Sequence, residues 1–421
     1  MAMELINREE LLNGKKKNKW ALIAIASIPL IMTLGNSMLI PILPLMEKQL
    51  HISKLQSSYI ITVYSIVAIF LIPIAGFLSD KYGRKVVIIP SLILTGIGGI
   101  LSGWAAWELD NAFIWIIIGR ILQGIGAAGA FPIVLPLVGD LYKKEEDVSS
   151  SLGIIETANT LGKVLSPILG ALIAGVIWYL PFFAIPIFCI ISLILIMLCV
   201  KKPKDDDHQL SFGRFVKNTK KIFSEHWKWL MAVFIIGAII MFILFGLLFY
   251  LSSILEDKYG YDGVKKGFLL AIPLAALCIA SFVTGKIIKD NLKKMKWITF
   301  FGMILTGVSV AATMFSDRFI YLIVIILFCG IGIGASLPCL DAILTQSIEK
   351  EMRGTITSIF SSMRFAGVAA GPPIVALLMK GNISSMVILL TILSAVAALL
   401  AFKAIKPKRG KKVGEMDPVL E

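Results

Sequence analysis

The chain is predicted to be an all-α integral membrane protein, with twelve membrane-crossing helices in two pseudo-symmetric six-helix bundles. Three observations predict this. Of its 421 residues 57% are hydrophobic and only 16% charged, with a mean hydropathy of +0.86, whereas soluble domains are about 45–50% apolar and about 25% charged. Twelve apolar runs are each long enough to cross a hydrocarbon core of roughly 30 Å, which takes about 20 helical residues. A polar segment at 201–226 divides these runs into two sets of six, and the two sets repeat.

In order, the spans are predicted at 20–46, 57–78, 86–106, 112–141, 149–175, 181–200, 227–251, 267–288, 296–316, 319–345, 356–379 and 383–403. Long, continuously apolar runs are helices, because barrel strands would alternate inward and outward residues over about ten positions. The first run follows Lys15, Lys16, Lys17 and Lys19 and so mimics a signal peptide. It is too long for one, and no small-residue cleavage site precedes the polar EKQLHISKLQS. The predicted organisation is a tail at 1–19, a six-helix half at 20–200, a central loop at 201–226, a second half at 227–403 and a tail at 404–421.

Of the 41 Lys and Arg residues, 30 fall on the side of the N-terminus and seven on the other; Arg120, Lys163, Lys228 and Arg364 lie in or at the edge of spans. Cytoplasmic loops carry the excess of basic residues, so both termini are expected in the cytoplasm, with the chain in a plasma membrane of bacterial type. The +14 net charge is therefore a topology signal, suited to anionic lipid and not to nucleic acid. All five cysteines fall in predicted spans without C-x-x-C spacing and read as small apolar fillers. No metal or cofactor site is suggested.

The halves align at an offset of 206 residues: GIGAAGAFP from Gly124 with GIGIGASLP from Gly330, and Pro167 with Pro373. GFLSDKYGRK from Gly76 corresponds more loosely to GKIIKDNLKK from Gly285, where Lys289 and Leu292 stand in the places of Asp80 and Gly83. Parallel six-helix repeats point to alternating access around a central site. Gly124, Gly126 and Gly129 also match G-x-G-x-x-G. A dinucleotide fingerprint needs a soluble strand and a helix N-terminus, and these glycines lie mid-span, so no dinucleotide is expected.

Three motifs carry a family resemblance. Between spans two and three, G-x-L-x-D-x-x-G-R-K is matched at Gly76, Leu78, Asp80, Gly83, Arg84 and Lys85. In span four, R-x-x-Q-G-x-G-A-A is matched at Arg120, Gln123, Gly124, Gly126, Ala127 and Ala128. In span five, G-x-x-x-G-P-x-x-G-G is met at Gly162, Pro167 and Gly170, while Ser166 and Ala171 replace glycines. The chain resembles the major facilitator superfamily over nearly its whole length, and within it the twelve-span drug:proton antiporters. The resemblance implies the fold of that superfamily and a conformational latch in which Arg84 reaches Asp140; it also implies that Arg120 tunes proton coupling.

From the residues themselves, Asp80 is expected to cap a helix N-terminus. The glycines of spans four and five allow close helix contact, here read as span four against span five. Pro132, Pro136 and Pro167 permit bends. Buried charge is the sharpest functional signal, since each costs about 2.5–3.5 kcal/mol or more in a membrane. Glu156 is the candidate proton carrier, as a carboxyl group set deep in an apolar path. Lys163 follows it by two turns. Arg120 is level with Lys163, so no direct Arg120–Glu156 contact is expected. Span one holds Asn36 and no acid between Trp20 and Met46, leaving a positive central balance that suits neutral, zwitterionic or anionic solutes. Asn36, Lys163, Arg364, Phe242, Phe245 and Met363 are the candidate cavity residues, the apolar ones forming an adaptable wall.

The function predicted is proton-coupled efflux of varied amphiphilic small molecules, with protons and lipids as the only other partners and a monomer as the unit. The alternative is a dedicated carrier for one solute such as a siderophore, sugar or lipid precursor. Direct use of ATP is not expected, because no G-x-x-x-x-G-K-[ST] loop occurs. A membrane receptor or enzyme is disfavoured by the want of a soluble domain or a catalytic constellation.

Overall fold

The computed structural model describes residues 2–141, 145–200, 212–288, 291–316, 318–348 and 350–405. Twelve stretches among them are long and apolar enough to cross a membrane, from Lys19–Leu50 to Ile383–Lys403. Helix α1 (Ala2–Ser37) already begins within the predicted tail. Pro41 and Pro44 have no backbone N–H to donate, and the first span breaks there into a 3-10 turn, Ile40–Ile42, and α2 (Leu43–Leu50). Helix α3 (Lys54–Tyr82) starts with a capping box between Ser53 and Gln56. Gly83, at φ 96°, turns the chain straight into α4 (Arg84–Glu108), a conformation that only glycine adopts cheaply. The predicted fourth span is two helices, α5 (Ala112–Ala130) and α6 (Val134–Leu141), separated by a turn around Pro132. Helices α7 (Glu145–Ala174) and α8 (Leu180–Cys199) complete the first half.

The second half opens with α9 (Phe212–Asp257), so helix replaces the predicted central loop from Phe212 onward; residues 201–211 lie outside those described. It continues through α10 (Gly263–Ile288), α11 (Leu292–Ala312), α12 (Phe319–Ser347), α13 (Lys350–Gly381) and α14 (Ile383–Lys403). We call the end that carries the turns at 51–53 and 258–262 distal, and the end that carries Gly83 proximal.

Lipid is as apolar as leucine, so helices associate through close van der Waals contact at small residues. The glycines show how the sequence repeat becomes a repeat of contacts. A Cβ at Gly124 would come within 2.5 Å of the Tyr64 carbonyl of α3, and Gly330 makes the corresponding approach to Pro273 of α10. Gly126 faces Ser91 and Thr95 of α4, as Gly332 faces Gly302 and Thr306 of α11. Gly162 and Gly170 of α7 pack on Leu30, Thr33 and Met38, as Gly367 and Gly371 of α13 pack on Ala238, Phe242 and Gly246. The expected contact of span four on span five is thus corrected: the α5 glycines serve α3 and α4, and those of α7 serve α1 and the adjoining Met38.

The bundles meet mainly along α3 against α13 and α7 against α10. Thr62 Oγ1 donates to the Ala369 carbonyl at 2.8 Å, and Gly76 abuts Ser358. At α7–α10, Gly267 lies against the Pro167 carbonyl and Ala171. Ala171 stands where the span-five motif has glycine, and the facing Gly267 supplies the missing space. Outward-pointing Phe70, Ile190, Ile279 and Ile392 are exposed, as a lipid-facing surface requires.

Candidate functional site

A narrow cleft lies between the halves where α1, α7, α9 and α10 converge; Ser37, Lys163, Ser166, Phe245, Leu248 and Leu274 are among the residues around it. It has room for about one water molecule, so a solute needs it widened. The local sequence explains how Lys163 is presented. Pro167 cannot donate the helical hydrogen bond to the Lys163 carbonyl, and the Ser166 hydroxyl donates to it instead at 2.9 Å. Ser166, the second departure from the motif, thereby satisfies a carbonyl that the proline leaves open.

Four charges from the two halves, of which Lys163 lines the cleft, lie close enough to act on one another: Glu156 and Lys163 on α7, Asp341 on α12 and Arg364 on α13. Glu156 is half-buried and accepts from Asn159 Nδ2 at 3.3 Å. Asn159 is itself oriented by the Thr33 hydroxyl at 2.6 Å. Arg364 reaches Asp341 Oδ1 at 3.5 Å and stands 5.7 Å from the Phe360 ring. Lys163 is buried, and its Nζ has no hydrogen-bond partner.

Arg120 is separate from this group. It is fully buried, and Nε donates to the Ile60 carbonyl at 2.7 Å, Nη1 to Gln123 and Nη2 to Asn36. Its guanidinium also lies 4.5 Å from the Tyr64 ring. Asn36 is therefore an acceptor for Arg120. Of the predicted cavity residues, Lys163 and Phe245 line the cleft together. Phe242 packs its backbone against Gly367 and Gly371, and Met363 is half-buried on α13.

In the loop motif Arg84 pairs with Asp80 and also donates to Ser79 Oγ at 2.8 Å. Asp80 sits in the last turn of α3, and the N-cap of α4 is Gly83, so Asp80 does not cap α4. Lys85 donates to the Val200 carbonyl at 2.5 Å, a cation at the C-terminal end of α8 where the helix dipole favours it. The side chain of Asp140, and Lys289 altogether, lie outside the described residues.

At the distal end the halves are tied by charge. Lys48 of α2 and Lys266 of α10 both reach Glu256, at 2.5 and 2.6 Å, and Lys54 reaches Asp257 at 2.5 Å. Ser252 donates across the same seam to the Ile40 carbonyl at 2.9 Å. Sequence reasoning missed these three pairs and Asp341. The signal for Asp341 was available: an acid inside the predicted span 319–345, one turn from its end.

Twelve crossings among the described residues, in two repeat-related bundles that meet along α3–α13 and α7–α10 with charged residues between them, fit a multi-pass membrane transporter. The chain belongs to the major facilitator superfamily, whose family model matches residues 25–372 and again 295–418. It is 51% identical to the bacillibactin exporter of Bacillus subtilis (strain 168), over 93% of this chain and 98% of that one. Multidrug resistance protein 2 of the same organism is 27% identical, over 83% of this chain and 86% of its own length. A solved bacterial homologue of the human lysosomal transporter Spinster, inward-facing and unoccupied, superposes with a TM-score of 0.76 over 94% of this chain and 99% of that chain, at 15% identity.

Proposed function

We propose that the chain is a dedicated exporter of an acidic, iron-chelating small molecule of the siderophore kind. The observation that carries this is the 51% identity, spanning almost the whole of both chains, to the bacillibactin exporter, against 27% to a multidrug resistance protein. The multidrug reading of the motifs gives way to the single-solute alternative. The uncommitted amine of Lys163 in the cleft wall supports the same reading, because iron chelators present anionic oxygens.

In this reading the chain sits in the plasma membrane with both termini in the cytoplasm, and the distal end faces outward. The solute enters from the cytoplasm while the distal ion pairs hold the halves together. Their release, with closure at the proximal end, turns the cleft outward. Proton influx drives the cycle, with Glu156 and Asp341 as the carboxyl groups available to carry the proton; the unit is a monomer that needs no cofactor. Arg120 acts as a buried tie between spans one, two and four.

A bacterial host deleted for its own siderophore exporter tests the proposal. Expression of this chain restores bacillibactin in the medium without raising resistance to unrelated lipophilic cations. Broad resistance without bacillibactin release supports the multidrug reading instead.

A further inference from the structure

Among the described residues, four buried polar side-chain atoms lack a hydrogen-bond partner: Gln123 Nε2, Lys163 Nζ, Ser347 Oγ and Thr391 Oγ1. Only Lys163 belongs to a cationic side chain, and it alone of the four lines the cleft between the halves. Other deep cations are engaged. Arg120 has three acceptors and a ring face, and Arg364 has Asp341.

We propose that the Lys163 amine is the anchor for an anionic oxygen of the solute, an oxyanion subsite at the seam of α7 and α10. The proposal rests on the reading of the chain as an exporter of an acidic chelator and specifies where such a molecule is held. A buried ammonium without a partner is costly, and a low-dielectric surround strengthens its attraction to an incoming anion. The wall here is apolar, made of Leu244, Phe245, Leu248, Leu270 and Leu274. Lysine suits the task as a compact charge with three rotatable donors on a flexible stem, able to follow an oxygen as the cleft widens.

Every charged group acting on Lys163 has its own place. Glu156 lies seven residues back on α7, about 10 Å along the axis, and holds Asn159. Asp341 holds Arg364 across α12 and α13. Ser166, also in the cleft wall, donates to the Lys163 carbonyl, so the helix keeps its backbone satisfied while the amine stays uncommitted. The seam is also where the halves must move. Gly267 lies against the Pro167 carbonyl one turn away, and an anion on Lys163 therefore sits at the joint that opens and closes.

The test uses the purified full-length chain with salicylate as oxyanion probe and salicylamide as its uncharged counterpart. Salicylate should raise the melting temperature of the wild type and salicylamide should not. Lys163→Gln should weaken salicylate binding by about thirtyfold or more, and Lys163→Arg should retain part of it. Lys286→Gln, at an exposed cation of α10 away from the cleft, serves as a control that should bind as well as wild type. Equal stabilisation by both probes, no stabilisation of the wild type by salicylate, or undiminished binding by Lys163→Gln overturns the proposal. Should Lys163→Gln fail to fold, the salicylate response of Lys163→Arg and the probe comparison on wild type decide the matter. Bacillibactin uptake into everted vesicles separates the two levels. Lys163-dependent salicylate binding without bacillibactin transport defeats the functional reading alone. Bacillibactin transport that Lys163→Gln leaves intact defeats the anchor alone.

Discussion

Lys48 and Glu256, 208 residues apart in the chain, meet at 2.5 Å across the distal seam, and Glu256 simultaneously holds Lys266 of its own half at 2.6 Å. One carboxylate thus carries an inter-half pair that must break for distal opening and an intra-half pair that can persist through it. The two lysines differ in setting: the Lys48 side chain is 66% exposed and that of Lys266 only 3%.

That difference predicts two distinct phenotypes. Lys48→Gln removes an exposed pair worth about 0–1 kcal/mol, so melting temperature should barely move. Labelling from the distal face at a Ser252→Cys position, which is buried at the seam, should nevertheless rise. Glu256→Gln also strands the buried Lys266 and should lower stability by roughly 3–5 kcal/mol, read as a fall in melting temperature. Equal effects of the two substitutions on stability would argue against the division of labour.

Gly267 fills the space between Pro167 and Ala171, with a Cβ there predicted 2.5 Å from the Pro167 carbonyl and 2.8 Å from Ala171 Cβ. Gly267→Val should therefore wedge the distal seam, abolish transport and increase distal labelling at the Ser252→Cys position, while the folded yield stays near wild type. Unchanged transport would show that α7 and α10 do not close in this manner.

Arg120 satisfies Ile60, Gln123 and Asn36 together in a fully buried site. Arg120→Ala leaves those acceptors unpaired at about 1–3 kcal/mol each, so melting temperature should drop sharply with or without solute. Arg120→Lys should recover little, because one ammonium cannot reproduce the spread of a guanidinium fork. A stable Arg120→Ala variant that loses only proton coupling would instead make Arg120 a coupling residue.

Glu156 and Asp341 make opposite predictions from a structural role. Glu156→Gln or Asp341→Asn, whichever residue carries the proton, should abolish proton release on solute addition yet leave solute counterflow. Proton release measured in vesicles should therefore fail for one of the two. Survival in both single variants removes both residues from the coupling path.

The apolar runs made the twelve crossings legible because a membrane span is a composition and length requirement that local sequence states outright. The repeat was legible for the same reason, and it reappears in the matched glycine contacts of Gly124 with Gly330 and Gly126 with Gly332. Proline marked where spans could bend, at Pro41 and Pro132, but whether a helix breaks there depends on what its neighbours can satisfy. Which helix a glycine faces is a tertiary property, so the reading of span four against span five failed. The Lys48–Glu256 pair joins segments about half a chain apart, and no local pattern encodes it. Asp341 was legible in principle, but its place one turn from a span end made it look like a boundary residue, and the central charge balance was overstated as positive.

The central claim is that this transporter exports one kind of acidic chelator. Everted vesicles containing the chain, given bacillibactin or a panel of unrelated lipophilic cations under an imposed proton gradient, measure it directly. The account predicts gradient-dependent bacillibactin accumulation with proton release and no comparable movement of the cations. Comparable movement of the cations, or no movement of bacillibactin, would contradict it.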